Sequence, residues 1–383
     1  MKFLNQNIIY LPFLLIFLGE LKVPVGGSTF SLPLSFITTP FLISGVIANK
    51  KYIVDKLCLI FSFIALLGFA SILYNPVAEF SRGLVGMLPV IYMIMMLFSY
   101  AQVNLDEEVA LKYLTVGVML LSIQIYIDFI HAQLSDGDYY EKKLFIETWL
   151  GRSNFLAAFL IFSLGLIKRN VFVFVFISMA VFATMSRGGA LIMLVMYLIM
   201  ALYYINHKAS MTVKYFIFIV FCLVSLVFIF IIISHIDFFK SFDFRSVFNR
   251  FDLWLFSIEL YSDNLALGIG PNSFRTYVES THGIEDVWGT HNSILQILLN
   301  YGFLGCVFYL YFFYKIWEKA SKGNYSFLTS IRLKSMLISI FLFSLFEPLI
   351  GSGSFEVLLV LGYLIIRERE RKKTFYPDVV YVQ

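Results

Sequence analysis

Residues 53–73 read IVDKLCLIFSFIALLGFASIL, and after Lys56 no charge occurs before Glu79. An uncharged run of this kind approaches the roughly 17–25 residues that a helix needs to cross a bilayer. It is too long for a barrel strand, and backbone groups in lipid must find partners within their own segment, so the run reads as a membrane helix. Comparable runs recur along the whole 383-residue chain. The composition agrees with them: 60% hydrophobic, 14% charged, 43 Phe and 23 Tyr leave too little polar surface for a soluble domain of this size. The expected fold is an all-α polytopic integral membrane protein, with about 12 transmembrane helices and one large outer loop.

Hydropathy places the spans near 5–20, 32–49, 53–73, 84–101, 109–131, 153–167, 170–185, 189–206, 214–235, 291–314, 334–349 and 352–366. The pairs within 153–185 and 334–366 include short spans. Lys2 precedes the first run and no small-residue cleavage site follows it, which predicts a retained helix rather than a signal peptide. With the N-terminus inside, nineteen of the 29 Lys and Arg fall in inner segments, so both termini are expected in the cytoplasm. The tail RERERKK (367–373) reads as a solvated, positive-inside stop. The chain reads as a single membrane domain over 1–383. Its large outer loop spans 236–290 and a shorter one spans 132–152.

Cys58, Cys222 and Cys306 all lie in apolar runs and read as small apolar filler. No Cys/His spacing suggests a disulfide framework or a metal site, and neither metal nor cofactor is expected. The net charge of +4 comes mostly from inner loops and does not point to nucleic acid.

Ionisable groups near the membrane core are costly, so their positions carry information. Asp128, His131, Arg152, Arg187, His291, Glu347 and Glu356 come from different spans but reach one level, toward the outer face. Any one of them is readily explained as an interfacial side chain reaching for water. Seven together predict a polar cavity that opens outward. Arg250 stands near the start of NRFDLWLFSIELYS (249–262), an amphipathic helix in the large loop. Its Phe251, Trp254, Leu255 and Ile258 share one face, which packs on protein or lies in the interface. GIGPNSF (268–274) follows. Gly268, Gly270 and Pro271-Asn272 make a tight turn that is either a plain loop or a set of N–H groups facing an anion.

The stretch THNSILQILLNYGFLG (290–305) opens the tenth span. Thr290 or Asn292 can cap its helix. Helical spacing aligns Asn292, Gln296 and Asn300 in a stripe beside His291, while Gly302 and Gly305 allow close helix contact. Histidine exchanges protons near neutral pH, and this one stands at the level of several arginines.

That set suits a substrate with a pyrophosphate beside an apolar tail. Arginines neutralise phosphate oxygens with planar, multidentate bonds. A neutral His accepts a proton from an attacking hydroxyl while the arginines stabilise the leaving pyrophosphate. This is glycosyl transfer from a polyprenyl pyrophosphate, which needs no nucleotide sugar. No DxD occurs in the large outer loop; the shorter one holds a single such triplet, Asp136-Gly137-Asp138. Transport is the competing class. Transporters, however, hold polar groups near the midplane in repeated halves, and no repeat is visible here.

Four stretches in order resemble the O-antigen ligase/polymerase superfamily of bacterial envelope proteins. They are GRSNFLAAFL (151–160), TMSRGGALIML (184–194), NRFDLW…LALGIGPNSF (249–274) and THNSILQILLNYGFLG (290–305). The motifs cover about 150–310, and the topology covers the whole chain. The resemblance implies an enzyme of ten to fourteen spans in the bacterial inner membrane, with its active site on the outer face. It also implies transfer of a glycan from undecaprenyl pyrophosphate. By position, His291 resembles the histidine that activates the acceptor hydroxyl, and Arg187 and Arg250 resemble the arginines that engage pyrophosphate. Arg152 is a weaker match than the following Asn154. Asn292, Gly268, Gly270 and Glu347 are supporting candidates. Where ligases commonly carry an acidic residue before the first helix glycine, this chain has Asn300-Tyr301-Gly302, which mildly disfavours a stereotyped ligase. The expected function is therefore polymerisation of lipid-linked repeat units into O-antigen or capsule. Ligation to lipid A core, or flipping of a lipid-linked oligosaccharide, are the alternatives. The expected partners are the undecaprenyl-pyrophosphate-linked glycan, the bilayer and a chain-length regulator.

Overall fold

The computed structural model describes residues 7–25, 28–47, 54–74, 80–103, 105–137, 139–148, 150–167, 170–208, 245–282, 289–323, 325–349 and 353–375. The span expected at 214–235, Cys222 and parts of the large outer loop lie outside the described residues.

The elements in order begin with α1 (Leu11–Leu15), β1 (Glu20–Val25), β2 (Ser28–Pro33), a 3-10 turn (Leu34–Thr38), α2 (Thr39–Ile47), α3 (Lys56–Tyr74) and α4 (Phe80–Ala101). Next come α5 (Glu107–Leu134), α6 (Tyr139–Leu144), β3 (Glu147–Thr148), β4 (Gly151–Arg152), α7 (Ser153–Leu166), α8 (Val171–Ala183) and α9 (Arg187–Lys208). The last five are α10 (Arg245–Ser262), α11 (Ser273–His282), α12 (Ser293–Lys322), α13 (Phe327–Ser344) and α14 (Ser354–Phe375). Among the described residues six helices, α3, α4, α5, α9, α12 and α13, are long and apolar enough to cross a membrane. Shorter apolar helices cover Leu34–Ser44, Ser153–Leu166 and Val171–Ala183. The regular structure of the described residues is thus helical apart from two small antiparallel hairpins, β1–β2 and β3–β4.

The first expected span departs from this pattern. Pro12 starts the short α1, and the chain then enters β1, whose Glu20 pairs with Pro33 of β2. Proline suits the first turn of a helix but breaks its interior, and β-branched Val23, Val25 and Thr29 favour the extended chain that follows. The expected span at 334–349 also ends early: α13 stops at Ser344, and residues 345–349 turn.

Two helices form the centre. In α7 every side chain from Leu156 to Leu166 is buried, and in α14 every described side chain from Phe355 to Ile366 except Gly362 is among the buried core or buried polar groups. Phe159 and Phe162 meet Phe355 edge to face, with ring centres 5.6 and 5.9 Å apart. Being buried on all sides, these helices are apolar all round rather than amphipathic. The peripheral helices turn apolar side chains outward, as α8 does with Phe172, Met179 and Phe182. That is the surface a lipid-facing helix presents.

At its far end α14 overturns the expectation of a solvated tail. Arg367 and Glu368 are buried. Arg367 donates to Asp55 at 3.0 Å, to the Tyr100 carbonyl at 2.9 Å and to Glu368. Arg369 pairs with Glu107, and Lys319 bonds Glu370 at 2.6 Å. Arg367, Arg369 and Glu370 each face a partner on another element, and Glu368 accepts from its neighbour Arg367; the side chains of 371–373 lie outside those described.

Candidate active site

The entrance of α12 is held by a closed set of bonds. Asn292, not Thr290, is the cap: its Oδ1 accepts from the N–H groups of Ile294 and Leu295 at 2.9 and 3.1 Å. Thr290 Oγ1 donates to the Asn292 carbonyl, and the Thr290 N–H donates to Gln296 Oε1 at 3.1 Å. Gln296 in turn donates to Asn300 at 3.0 Å. The polar stripe predicted along this helix is therefore a buried brace. It fixes the residue between Thr290 and Asn292, which is His291, in the left-handed region at φ 51°. A histidine there is uncommon and persists only when its surroundings over-determine it.

The brace reaches a second element. Asn292 Nδ2 donates to the Leu345 carbonyl at 3.0 Å, and Ser293 Oγ to the Glu347 carbonyl at 2.9 Å. Both fasten the turn after α13, so Glu347 faces His291. Its carboxylate is almost fully buried, with the residue 3% exposed. Oε1 accepts from Arg250 Nη2 at 2.7 Å and from Asn154 Nδ2 at 2.5 Å. Oε2 lies 3.5 Å from His291 Nδ1. That distance is too long for a formed hydrogen bond, and Nδ1 is buried with no bonded partner. Burial works against the charged form of Glu347, but His291 and Arg250 beside it outweigh burial and hold the carboxyl below its ordinary value of 4.5.

Arg250 also donates to the Phe346 carbonyl at 2.9 Å, so its guanidinium grips the turn in two places. It stands on α10, whose Phe251, Leu255 and Ile258 point out of the protein while Trp254 packs on Phe251 and Phe346. The expected apolar face is present, with one of its four residues turned onto protein.

Asn154 links Glu347 to the SRGG stretch. Ser186 Oγ donates to Asn154 Oδ1 at 2.7 Å and accepts from the Gly189 N–H at 2.9 Å, capping α9. A side chain at Gly189 would meet Ala157, so glycine is what lets α9 approach α7 there. Arg187 follows Ser186, and its guanidinium lies over the Tyr139 ring at 4.5 Å. The Tyr139 hydroxyl donates to the Met185 carbonyl, in a turn where Met185 has φ 53°.

Helix α6, in the segment 132–152 expected as the shorter outer loop, therefore enters the site, and sequence reasoning missed it. One turn beyond Tyr139, Lys143 is half-buried. Burial pushes its amine below the ordinary lysine range; Glu347 opposes that shift, while Arg250 and Arg187 reinforce it. No periodicity marks a six-residue helix, and a lysine in an outer loop ordinarily reads as solvated.

The remaining candidates fall elsewhere. Arg152 is half-exposed, with Nε 3.9 Å from Glu147, and makes no bond to Glu347. Glu356 accepts from Tyr309, roughly five turns down α12 from His291, so it is not at the level of the site. Asp128 accepts from Gln124 on its own helix. Among the described residues no three His, Cys, Asp or Glu converge to hold a metal ion.

The glycine loop has a different use from an anion cradle. The N–H groups of Ile269 and Gly270 donate to the Leu299 carbonyl, and that of Gly268 to Asn264. The loop docks where α12 kinks at Gly302, with φ 68° and ψ −171°. A side chain at Gly302 would strike the Ala266 carbonyl, and one at Gly268 the Leu299 carbonyl. Both positions require glycine. GIGP thus braces the helix that carries His291, and those amides are spent.

Residues 172–310 match the family model described as O-antigen ligase. No curated protein matched the chain in sequence. The matched segment carries Arg187, Arg250, Gly268, Gly270, His291 and Asn292. It omits Tyr139, Lys143, Asn154 and Glu347, which complete the site from outside. The match covers residues 172–310 of 383 and supports the resemblance to the O-antigen ligase/polymerase superfamily of glycosyl-transferring membrane enzymes.

Proposed function

We propose that the protein polymerises lipid-linked oligosaccharide repeat units into O-antigen or capsule, with undecaprenyl pyrophosphate as the leaving group. The observation that carries this reading is Glu347, which grips Arg250 while facing Nδ1 of His291. One buried carboxylate so ties an anion-binding guanidinium to a proton acceptor.

With its proton on Nδ1 toward Glu347, His291 offers Nε2 to the hydroxyl of the acceptor sugar. The carboxylate orients the ring and favours the imidazolium that forms. The 3.5 Å separation suits a contact that tightens when substrate fills the site. The hydroxyl oxygen attacks the anomeric carbon of the growing chain, and its proton passes to His291. The bond from that carbon to the pyrophosphate oxygen breaks, and its electron pair leaves with undecaprenyl pyrophosphate. Arg187 and Arg250 stabilise the charge that develops there. In-line attack inverts the anomeric configuration. Phe251, Leu255 and Ile258 on α10 supply an apolar surface beside Arg250 for membrane or lipid tail. On this reading the site lies on the outer face of the bacterial inner membrane, with both termini cytoplasmic and a chain-length regulator as partner.

The ligase differs only in its acceptor, the lipid A core. The glycan profile of a strain lacking the gene separates the two, with undecaprenyl-linked and lipid A-linked pools resolved by gel. Single repeats without long chains mean the polymerase. Long chains stranded on the carrier mean the ligase. Unchanged pools overturn both, and bring back a flippase as the reading to test.

A further inference from the structure

We propose that Lys143 is a third cation for the donor's anionic group, presented from the shorter outer loop by α6. The proposal rests on the glycosyl-transfer reading of the same site.

Three observations support it. First, α6 is fastened to the site and not merely near it. Its Tyr139 both donates to the Met185 carbonyl and stacks on Arg187. Second, Lys143 is four residues on, hence on the same side of α6 as Tyr139. It is directed inward, where the charges that act on it are Glu347, Arg250 and Arg187. Third, the Lys143 amine makes no hydrogen bond or ion pair with any described residue; its backbone carbonyl accepts from the Ile146 N–H. An unbonded lysine at the end of a short outer helix gains by turning its amine into water. This one is half-buried where both guanidinium groups act on it, and the Glu347 carboxylate that attracts it already accepts at Oε1 from Arg250 and Asn154. An anion between α6, α9 and α10 offsets that repulsion. The pyrophosphate of a polyprenyl donor has enough oxygens for all three cations to bind at once. Lys143 then adds a mobile point charge to two fixed planar forks.

The test is binding of undecaprenyl pyrophosphate to the purified full-length protein in nanodiscs, for wild type, Lys143→Gln, Lys143→Arg and Arg250→Ala, with melting temperatures measured alongside. The expected result is roughly tenfold weaker binding for Lys143→Gln, the scale of one charge-assisted hydrogen bond, with Lys143→Arg recovering most of it. Binding should also fall less steeply with added salt in Lys143→Gln. If Lys143→Gln binds as wild type does while Arg250→Ala is weakened, the lysine assignment is overturned and the donor site stands. If Lys143→Gln and Lys143→Arg lose affinity equally and melt early, Lys143 serves packing, and the proposal is again overturned. If wild type itself does not bind the lipid, the donor reading falls together with the lysine.

Discussion

The protein carries two ionic clusters, one at each end of its helix bundle, and they are built differently. At one end the charges are paired across elements: Arg367 donates to Asp55, Glu368 and the Tyr100 carbonyl, Arg369 pairs with Glu107, and the helical backbone around them is regular. The other end is built around a histidine. His291 Nδ1 has no bonded partner, and Met185 and His291 both have positive φ. Charges paired across elements fasten helices. A cluster with unmet bonding capacity and backbone held out of its preferred regions is suited to a ligand. The fastening end ties α14 to α3, α4 and α5, which lets the other end keep its strain.

The comparison breaks if both clusters respond alike to mutation. The largest effect belongs to His291→Ala, which should lower the rate of chain elongation about 10²–10⁴-fold, the range for a lost general base, while the melting temperature stays near wild type. A variant that melts early with normal activity would make His291 structural. Next is Arg367→Ala, for the opposite reason. It strands Asp55 and Glu368 in the interior and should cost about 3–5 kcal/mol of stability. Its signature is low yield and early melting, with normal turnover in whatever folds. Lost turnover at full stability would couple the two ends.

Glu347→Gln sharpens the contrast from within the site. It removes the negative charge and keeps an oxygen for Asn154 and Arg250. Elongation should fall about tenfold to a hundredfold, on the scale of losing a charged partner in a hydrogen-bonded pair. The carboxyl is held below 4.5 in the fold, so its contribution to stability is complete above that value and lost as pH falls through the lowered one. Wild type should therefore lose melting temperature on acidification below about pH 4.5, and Glu347→Gln should lose less. Equal acid sensitivity in both proteins would show that other carboxylates set the limit.

The parts of this design legible in the sequence are those that cost something locally. Apolar runs mark the helices, His291, Arg187 and Glu347 stand out as ionisable groups where such groups are expensive, and Arg250 is marked by the resemblance. The misreadings share one cause, a partner far away in sequence. RERERKK looks solvated until Asp55 and Glu107, more than 250 residues earlier, are seen to face it. GIGP reads as a plain loop or an anion loop until Leu299 is seen to take its amides. Tyr139 and Lys143 lie in a loop with no helical pattern, and only the fold brings α6 against α9. Pro12 and the β-branched residues after it explain why the first apolar run does not form one helix.

The smallest expected effect is the most discriminating. Arg187→Lys keeps the charge and the approximate reach, so a site that needs only positive potential should tolerate it. Arg187, however, is planar and lies over the Tyr139 ring at 4.5 Å, an arrangement that orients its fork of donors. A lysine ammonium can sit over that ring too, but it presents one point of charge and cannot bridge two phosphate oxygens in a plane. Elongation should fall about tenfold, with melting temperature unchanged, and most of the loss should appear as weaker donor binding. Tyr139→Phe keeps the ring and removes only the bond to Met185, so it should cost less than Arg187→Lys. If it costs as much, the strained turn before α9, and not the planar guanidinium, is what the site depends on.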